Sequence, residues 1–293
     1  MRTLKISAIS FLNTVPLMWD FEHEPSQEIR EGFEIEYTVP SVCAQSLRAG
    51  TADIGIIPVI TTAQIPGLVV LPDVAIAALN KVWSIQLVSK KPIEEIRTVA
   101  VDTSSRTSAG LTQVLLTKFF GGHRELTPMA PVLGPMLEKC DAGLLIGDPA
   151  LTVKTDGLYN YDLAEVWRAK TGRPFVFAVW TVRKAALAEM HPGLDLAKIF
   201  RRSRDHGLLP ENVAEIARSW APKLGLSEGS IKSYLRENIH YKLDAECREG
   251  LALYFKLATE CGVIERAPEL EFLEDAAISE MQGKEINYPT SAR

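Results

Sequence analysis

The sequence predicts a two-lobed α/β protein with a helical C-terminal portion. Three observations carry this. The chain has 293 residues, about twice a typical single domain, so two lobes are the natural expectation. Up to about Thr181, short apolar strand patterns alternate with helical ones, as in sheets covered by helices. From Lys184 onward the pattern becomes almost wholly helical. With 46% hydrophobic residues, the chain can bury a substantial core.

The elements follow in order. Leu4–Ile9 reads as a strand, followed by a polar turn, Ser10–Asn13, and Pro16. Phe33–Val39 alternates apolar and polar residues as a strand does. Ser41 is expected to cap a short helix through Leu47, closed by Gly50. Ile54–Ile57, Leu68–Leu71 and Val74–Leu79 are compact apolar strands, and Trp83–Ser89 and Thr98–Val101 follow. Next, Leu111, Val114, Leu115 and Phe119 recur at helical spacing, with Gly121 and Gly122 as the stop. Val132–Lys139 reads as a helix, Gly143–Ile146 as a buried strand, Asp162–Thr171 as a helix ended by Gly172 and Pro174, and Phe175–Thr181 as a strand. The helices beyond are punctuated at Pro192, Gly207–Pro210, Pro222 and Gly225–Ser227.

In the expected topology the chain leaves lobe one near Ser89, builds lobe two and returns near Thr181. Residues 1–88 and 182–273 then form lobe one, 89–181 form lobe two, and 274–293 are a flexible tail. This is a periplasmic-binding-protein-like (type II) fold with two hinge crossings and a helical C-terminal portion packed on lobe one. Ligands of such sheets bind beyond the carboxyl ends of strands, where loops face the crevice.

Several classes are set aside. The apolar runs are short and interrupted, so no membrane-spanning helix is expected. The opening MRTLKISAISFLNTVPL reads as a strand ending in a loop rather than a secretory leader, which points to a cytoplasmic protein. A formal charge of −5 and mixed surface argue against nucleic acid as a partner. The basic cluster Arg201–Arg204 reads as a solvated helix face. Cys43, Cys140, Cys247 and Cys261 are far apart, without metal-binding spacing, and read as buried thiols. No Gly-rich nucleotide loop, P-loop, HExxH or GxSxG occurs. No metal or cofactor is expected, and the oligomeric state is not legible.

Among the strand-end loops, Asp102–Ser108 is the sharpest. Five hydroxyl residues (Thr103, Ser104, Ser105, Thr107, Ser108) surround Arg106 where a strand gives way to a helix. Helix-starting N–H groups lack internal partners and carry the positive end of the dipole. Hydroxyls and a guanidinium make that a cradle for a carboxylate or phosphate. Ordinary capping explains one hydroxyl; five exceed what it requires. Asn13 can donate and accept after the first strand, though Asn is also common in turns. Ser84 lies within an apolar strand pattern, and Asp148 in Gly-Asp-Pro suits a cap or turn. Ile57-Pro58 and Gly147 complete the strand-end set. The five histidines fall outside these loops, and none pairs with a nucleophile. From the residues alone, the protein captures a small anion, as binding protein or enzyme.

Five segments extend this. ISFLNTVPL at the start, LRAGTADIGIIPVI near residue 50, DTSSRTSAGL near 105, AGLLIGDPAL near 145 and TGRPFVFAVW near 175 together resemble the chorismate dehydratase family of the futalosine route to menaquinone. The resemblance spans about residues 4–265. It implies a cofactor-independent hydro-lyase that converts chorismate to 3-[(1-carboxyvinyl)oxy]benzoate and water. It implies Asn13 and Ser84 at the reacting centre, with Ser104, Ser105, Arg106 and Thr107 on the ring carboxylate. Ile57, Pro58, Gly147 and Asp148 would line the rest, and Phe175 and Trp180 would lie near the hinge. The base would be the substrate's own side-chain carboxylate. Two alternatives stand beside it: the sister enzyme that makes 1,4-dihydroxy-6-naphthoate, and a solute-binding protein for a small organic anion.

Overall fold

The computed structural model describes residues 2–23, 25–191 and 193–273; the tail expected from 274 and the break expected at Pro192 lie outside them. Eleven strands are described: β1 (Leu4–Ile9), β2 (Phe33–Thr38), β3 (Ile54–Pro58), β4 (Leu68–Ala78), β5 (Ile85–Ser89), β6 (Thr98–Asp102), β7 (Glu125–Met129), β8 (Ala142–Ile146), β9 (Tyr159–Asp162), β10 (Phe175–Arg183) and β11 (Glu271–Phe272). They form two sheets, ordered β11-β4-β10-β3-β1-β2 and β7-β6-β8-β5-β9. In the first, β1 runs parallel to β2 and β3, while β10 is antiparallel to β3 and β4. In the second, β6 is parallel to β7 and β8, and β5 antiparallel to β8 and β9.

The central strands are covered on both faces. Every residue of β3, β5 and β8 is buried, and all of β10 but Arg183. Such strands read as continuous apolar runs rather than alternating ones. That burial explains where the expected crossings miss. Ile85–Ser89 pairs within the second sheet, not in lobe one, and Phe175–Arg183 pairs within the first. The chain therefore passes between sheets over 79–84 and returns over 163–174. A strand buried on both faces carries no sequence mark of which sheet it joins.

Other local readings are also adjusted. The turn after β1 is a 3-10 helix, Leu12–Met18, with Pro16 inside it. Pro40, not Ser41, opens the next helix, Pro40–Ala49, after Val39; its fixed φ and missing N–H suit the first position. The two strands expected over 68–79 are one, bent where Asp73 takes a φ of 60°. β7 and β9 are short edge strands, and Pro128 in β7 hid the first of them. The cluster Arg201–Arg204 is not a solvated face throughout: Arg204 is buried, paired with Asp73 and Asp205, and Arg202 pairs with Asp20 at 2.9 Å.

The helical portion locks the first loop in place. The helix Leu196–Gly207 packs on the 3-10 segment and on β4. Ser203 Oγ donates to Leu17 O (2.8 Å) and accepts from the Asp20 N–H (3.0 Å). At Gly207 an added Cβ would stand 2.0 Å from Pro16 O, so only glycine permits that approach. The helix Ala245–Glu260 touches β10 and the helix Thr107–Phe119, bridging the two halves.

Candidate functional site

A cavity of about 50 Å³ lies between the sheets. Its walls are the strand-end loops: Phe11 and Asn13 after β1, Pro58 closing β3, Ser104–Ser108 after β6, and Ile146-Gly147 at the end of β8. Ile76, Phe177 and Ala178 from β4 and β10 form the floor. Of the residues singled out from sequence, Asn13, Pro58, Ser104, Ser105, Arg106, Thr107 and Gly147 line it. Ile57, Ser84 and Asp148 are not among its lining residues; Ile57 pairs with Val179 inside the first sheet.

The hydroxyl loop divides its work. The Ser104 N–H and Oγ both donate to Asp102 Oδ1, at 2.8 Å. Burial raises the pKa of that carboxyl, against the two hydrogen bonds that lower it. Thr107 Oγ1 accepts from the Ile60 N–H (3.2 Å), tying the helix start to the loop after β3. Ser105 differs: its Oγ is buried without a hydrogen-bond partner. No side chain caps the helix Thr107–Phe119, so its leading N–H groups remain open to a ligand. An orphan hydroxyl beside uncapped N–H groups suits an anion. Arg106 stands exposed at the cavity's edge.

Ser84 sits on a strained turn. The Ser84 N–H bonds to Val82 O (2.8 Å), and Trp83 between them has a φ of 62°. A three-residue turn with positive φ at a bulky residue is rare and strained. Asp162 holds it: its carboxylate accepts from the Val82 N–H (3.0 Å), the Trp83 N–H (2.6 Å) and Gln86 Nε2 (3.2 Å). The same carboxylate caps the helix Leu163–Thr171 through Ala164 and Glu165. Ser84 O then accepts from the Gly147 N–H at 2.8 Å. The backbone of Ser84 is thus held on both sides, yet its Oγ is buried and unpartnered.

Sequence reasoning missed the neighbour of this serine. Tyr234, fully buried in the helical portion, has its hydroxyl beside the side chains of Ser84 and Asn13. None of these contacts reaches hydrogen-bond geometry, and the Tyr234 oxygen too is orphaned. Burial pushes its pKa up, so the phenol stays protonated. The Tyr234 ring packs edge-on against Trp83, 5.9 Å between centroids, which links this helix residue to the turn that carries Ser84.

Asp148 joins the two halves. Its Oδ1 accepts from the Leu12 N–H at 3.0 Å. Burial pushes its pKa up to about 6, against that hydrogen bond, which lowers it. Gly147 before it has a φ of 62°, and a Cβ there would meet the Phe11 ring at 2.5 Å. Glycine is required on both counts.

Other chemistry lies away from the cavity. Cys43, Cys140 and Cys247 are buried and Cys261 is half-buried; burial raises Cys43 to about 11 and Cys247 to about 12, which leaves them unreactive thiols. Among the described residues, His240, Asp244 and Cys247 bring possible metal-ligand atoms within 4.8 Å of one another, a cluster that the sequence reading did not anticipate. Asp244 there pairs with His240 (2.7 Å) and caps a helix through the Cys247 N–H (2.9 Å), which accounts for the arrangement. No helix among the described residues is long and apolar enough to cross a membrane.

Comparison with known proteins gives concordant results. A family described as menaquinone biosynthesis matches residues 4–260. The chorismate dehydratase of Thermus thermophilus is 28% identical over 242 residues, 76% of this chain and 86% of that protein. A protein of Archaeoglobus fulgidus superposes with a TM-score of 0.68 at 16% identity, over 89% of this chain and 98% of its own. The periplasmic aliphatic sulphonate-binding protein of Escherichia coli does so with 0.61 at 15% identity, over 94% of each. The fold is the two-lobed, periplasmic-binding-protein-like one.

Proposed function

The chain belongs to the menaquinone biosynthesis family, and from that premise we propose that it is a chorismate dehydratase, a lyase that converts chorismate to 3-[(1-carboxyvinyl)oxy]benzoate and water. The observation that carries this is the buried, partnerless hydroxyl of Ser105 in a cavity walled by an uncapped helix start and lined by Asn13. Buried polar groups are normally satisfied, so an orphan hydroxyl in the cavity wall calls for a ligand oxygen. Chorismate brings two carboxylates and a hydroxyl.

The ring carboxylate is taken by Ser105, Thr107, Arg106 and the helix start, with Ser104 holding the loop on Asp102. Asn13 hydrogen-bonds the departing hydroxyl or the enolpyruvyl carboxylate, and Ser84 orients that carboxylate. The hydrogen at C3 is acidified through the ring carboxylate, and the side-chain carboxylate of the substrate removes it. The C4 hydroxyl then departs and the ring becomes aromatic. Aromatisation supplies the driving force, so the protein contributes orientation and charge stabilisation rather than a strong base or a cofactor. Pro58, Gly147 and Asp148 shape the wall, and Ile57 supports Pro58 from the sheet.

Asn13→Ala tests the assignment. Removal of one preorganised donor lowers kcat by about 10²-fold in comparable sites, and that loss is expected here with the fold intact by circular dichroism. Full turnover with unchanged affinity would overturn the role of Asn13.

A further inference from the structure

Tyr234 is separated in sequence from every strand-end loop, and no packing requirement accounts for its hydroxyl. The side chain is fully buried and the oxygen has no partner. A buried hydroxyl without a hydrogen bond destabilises a fold, whereas phenylalanine would fill the same space without that penalty. The residue opens a π-helical turn, Tyr234–Asn238, a local departure from the α ladder that concentrates at functional sites. Its ring rests on Trp83, the strained residue that presents Ser84. Its oxygen stands beside the Ser84 and Asn13 side chains, and the Ser84 oxygen is an orphan as well. Two buried orphans therefore cluster with an amide, Asn13, that itself lines the cavity.

We propose that Tyr234 is a further catalytic residue, donating its O–H to the C4 oxygen of the substrate as the C4–O bond breaks. This rests on the dehydratase reading above. The C3 proton passes to the substrate's side-chain carboxylate and the C–H electron pair becomes a ring double bond. The C4–O pair leaves with the oxygen, and the same carboxylic acid returns the proton to it, giving water. Tyr234 keeps its own proton throughout and supplies a hydrogen bond where negative charge grows. The burial that holds the phenol neutral preserves it as a donor.

Tyr234→Phe separates this from a structural role. The variant is expected to lose about 10²-fold in kcat with little change in KM, and to melt at the same temperature as the native protein or higher. Native turnover in Tyr234→Phe would overturn the proposal. So would a variant that fails to fold or melts several degrees lower, because the hydroxyl would then be holding the structure together. The native protein assayed alongside keeps the two readings apart: if it leaves chorismate unchanged, the dehydratase reading itself falls, whatever the variant does.

Discussion

Asp148 carries a conflict that shows how one side chain is set by its surroundings. It receives the Leu12 N–H, which favours the charged form, but burial outweighs that bond and pushes its pKa up to about 6 from 3.8. The folded protein therefore holds this proton more tightly than the unfolded chain does. The stability so contributed is fully present below pH 3.8 and is lost as pH rises through about 6. Asp148→Asn keeps an oxygen for Leu12 and carries no charge. Relative to the native protein, it is expected to gain on the order of 1–2 kcal/mol between about pH 4 and about pH 7.5, after allowance for solvent screening. Urea unfolding at the two pH values measures it, and a stability difference that does not change with pH would contradict the account. Burial raises the pKa of Asp162 too, against the hydrogen bonds that lower it; five donors surround its carboxylate, which holds the strained turn.

At the scale of elements, legibility followed local signals. β1, β2, β3, β6 and the helix Thr107–Phe119 could be read because alternation, apolar runs and glycine stops are written within each segment. The edge strands β7 and β9 could not, since edge pairing demands little of composition and β7 contains a proline. The site divides the same way. Asn13, Ser104–Thr107 and Gly147 were legible because ligands sit beyond strand ends, and the hydroxyl excess there stands out. The turn that aims Ser84 was not, because it depends on Asp162, remote in sequence, and on a positive φ at Trp83 that no residue preference foretells. Tyr234 escaped for a similar reason: its sequence neighbours form an ordinary helical pattern, and only tertiary packing carries its hydroxyl beside Ser84 and Asn13.

For the molecule as a whole, the two sheets meet at the site with little space between them. The cavity of about 50 Å³ is well below the roughly 300–1,000 Å³ of small-molecule sites, so a substrate enters only when the halves part. The crossings over 79–84 and 163–174 link the halves, and the Asp148–Leu12 contact joins them across the cleft. Without ligand the halves are expected to stand apart in solution and to close on chorismate, so X-ray scattering is expected to show a radius of gyration that falls when chorismate is added; identical curves with and without it would contradict closure. The central claim is the reaction, and it is tested most directly by mixing the purified protein with chorismate, without added metal or nucleotide, and following the products by mass spectrometry. The account predicts a product lighter by one water that retains the enolpyruvyl group and carries an aromatic ring. Chorismate recovered unchanged would contradict it.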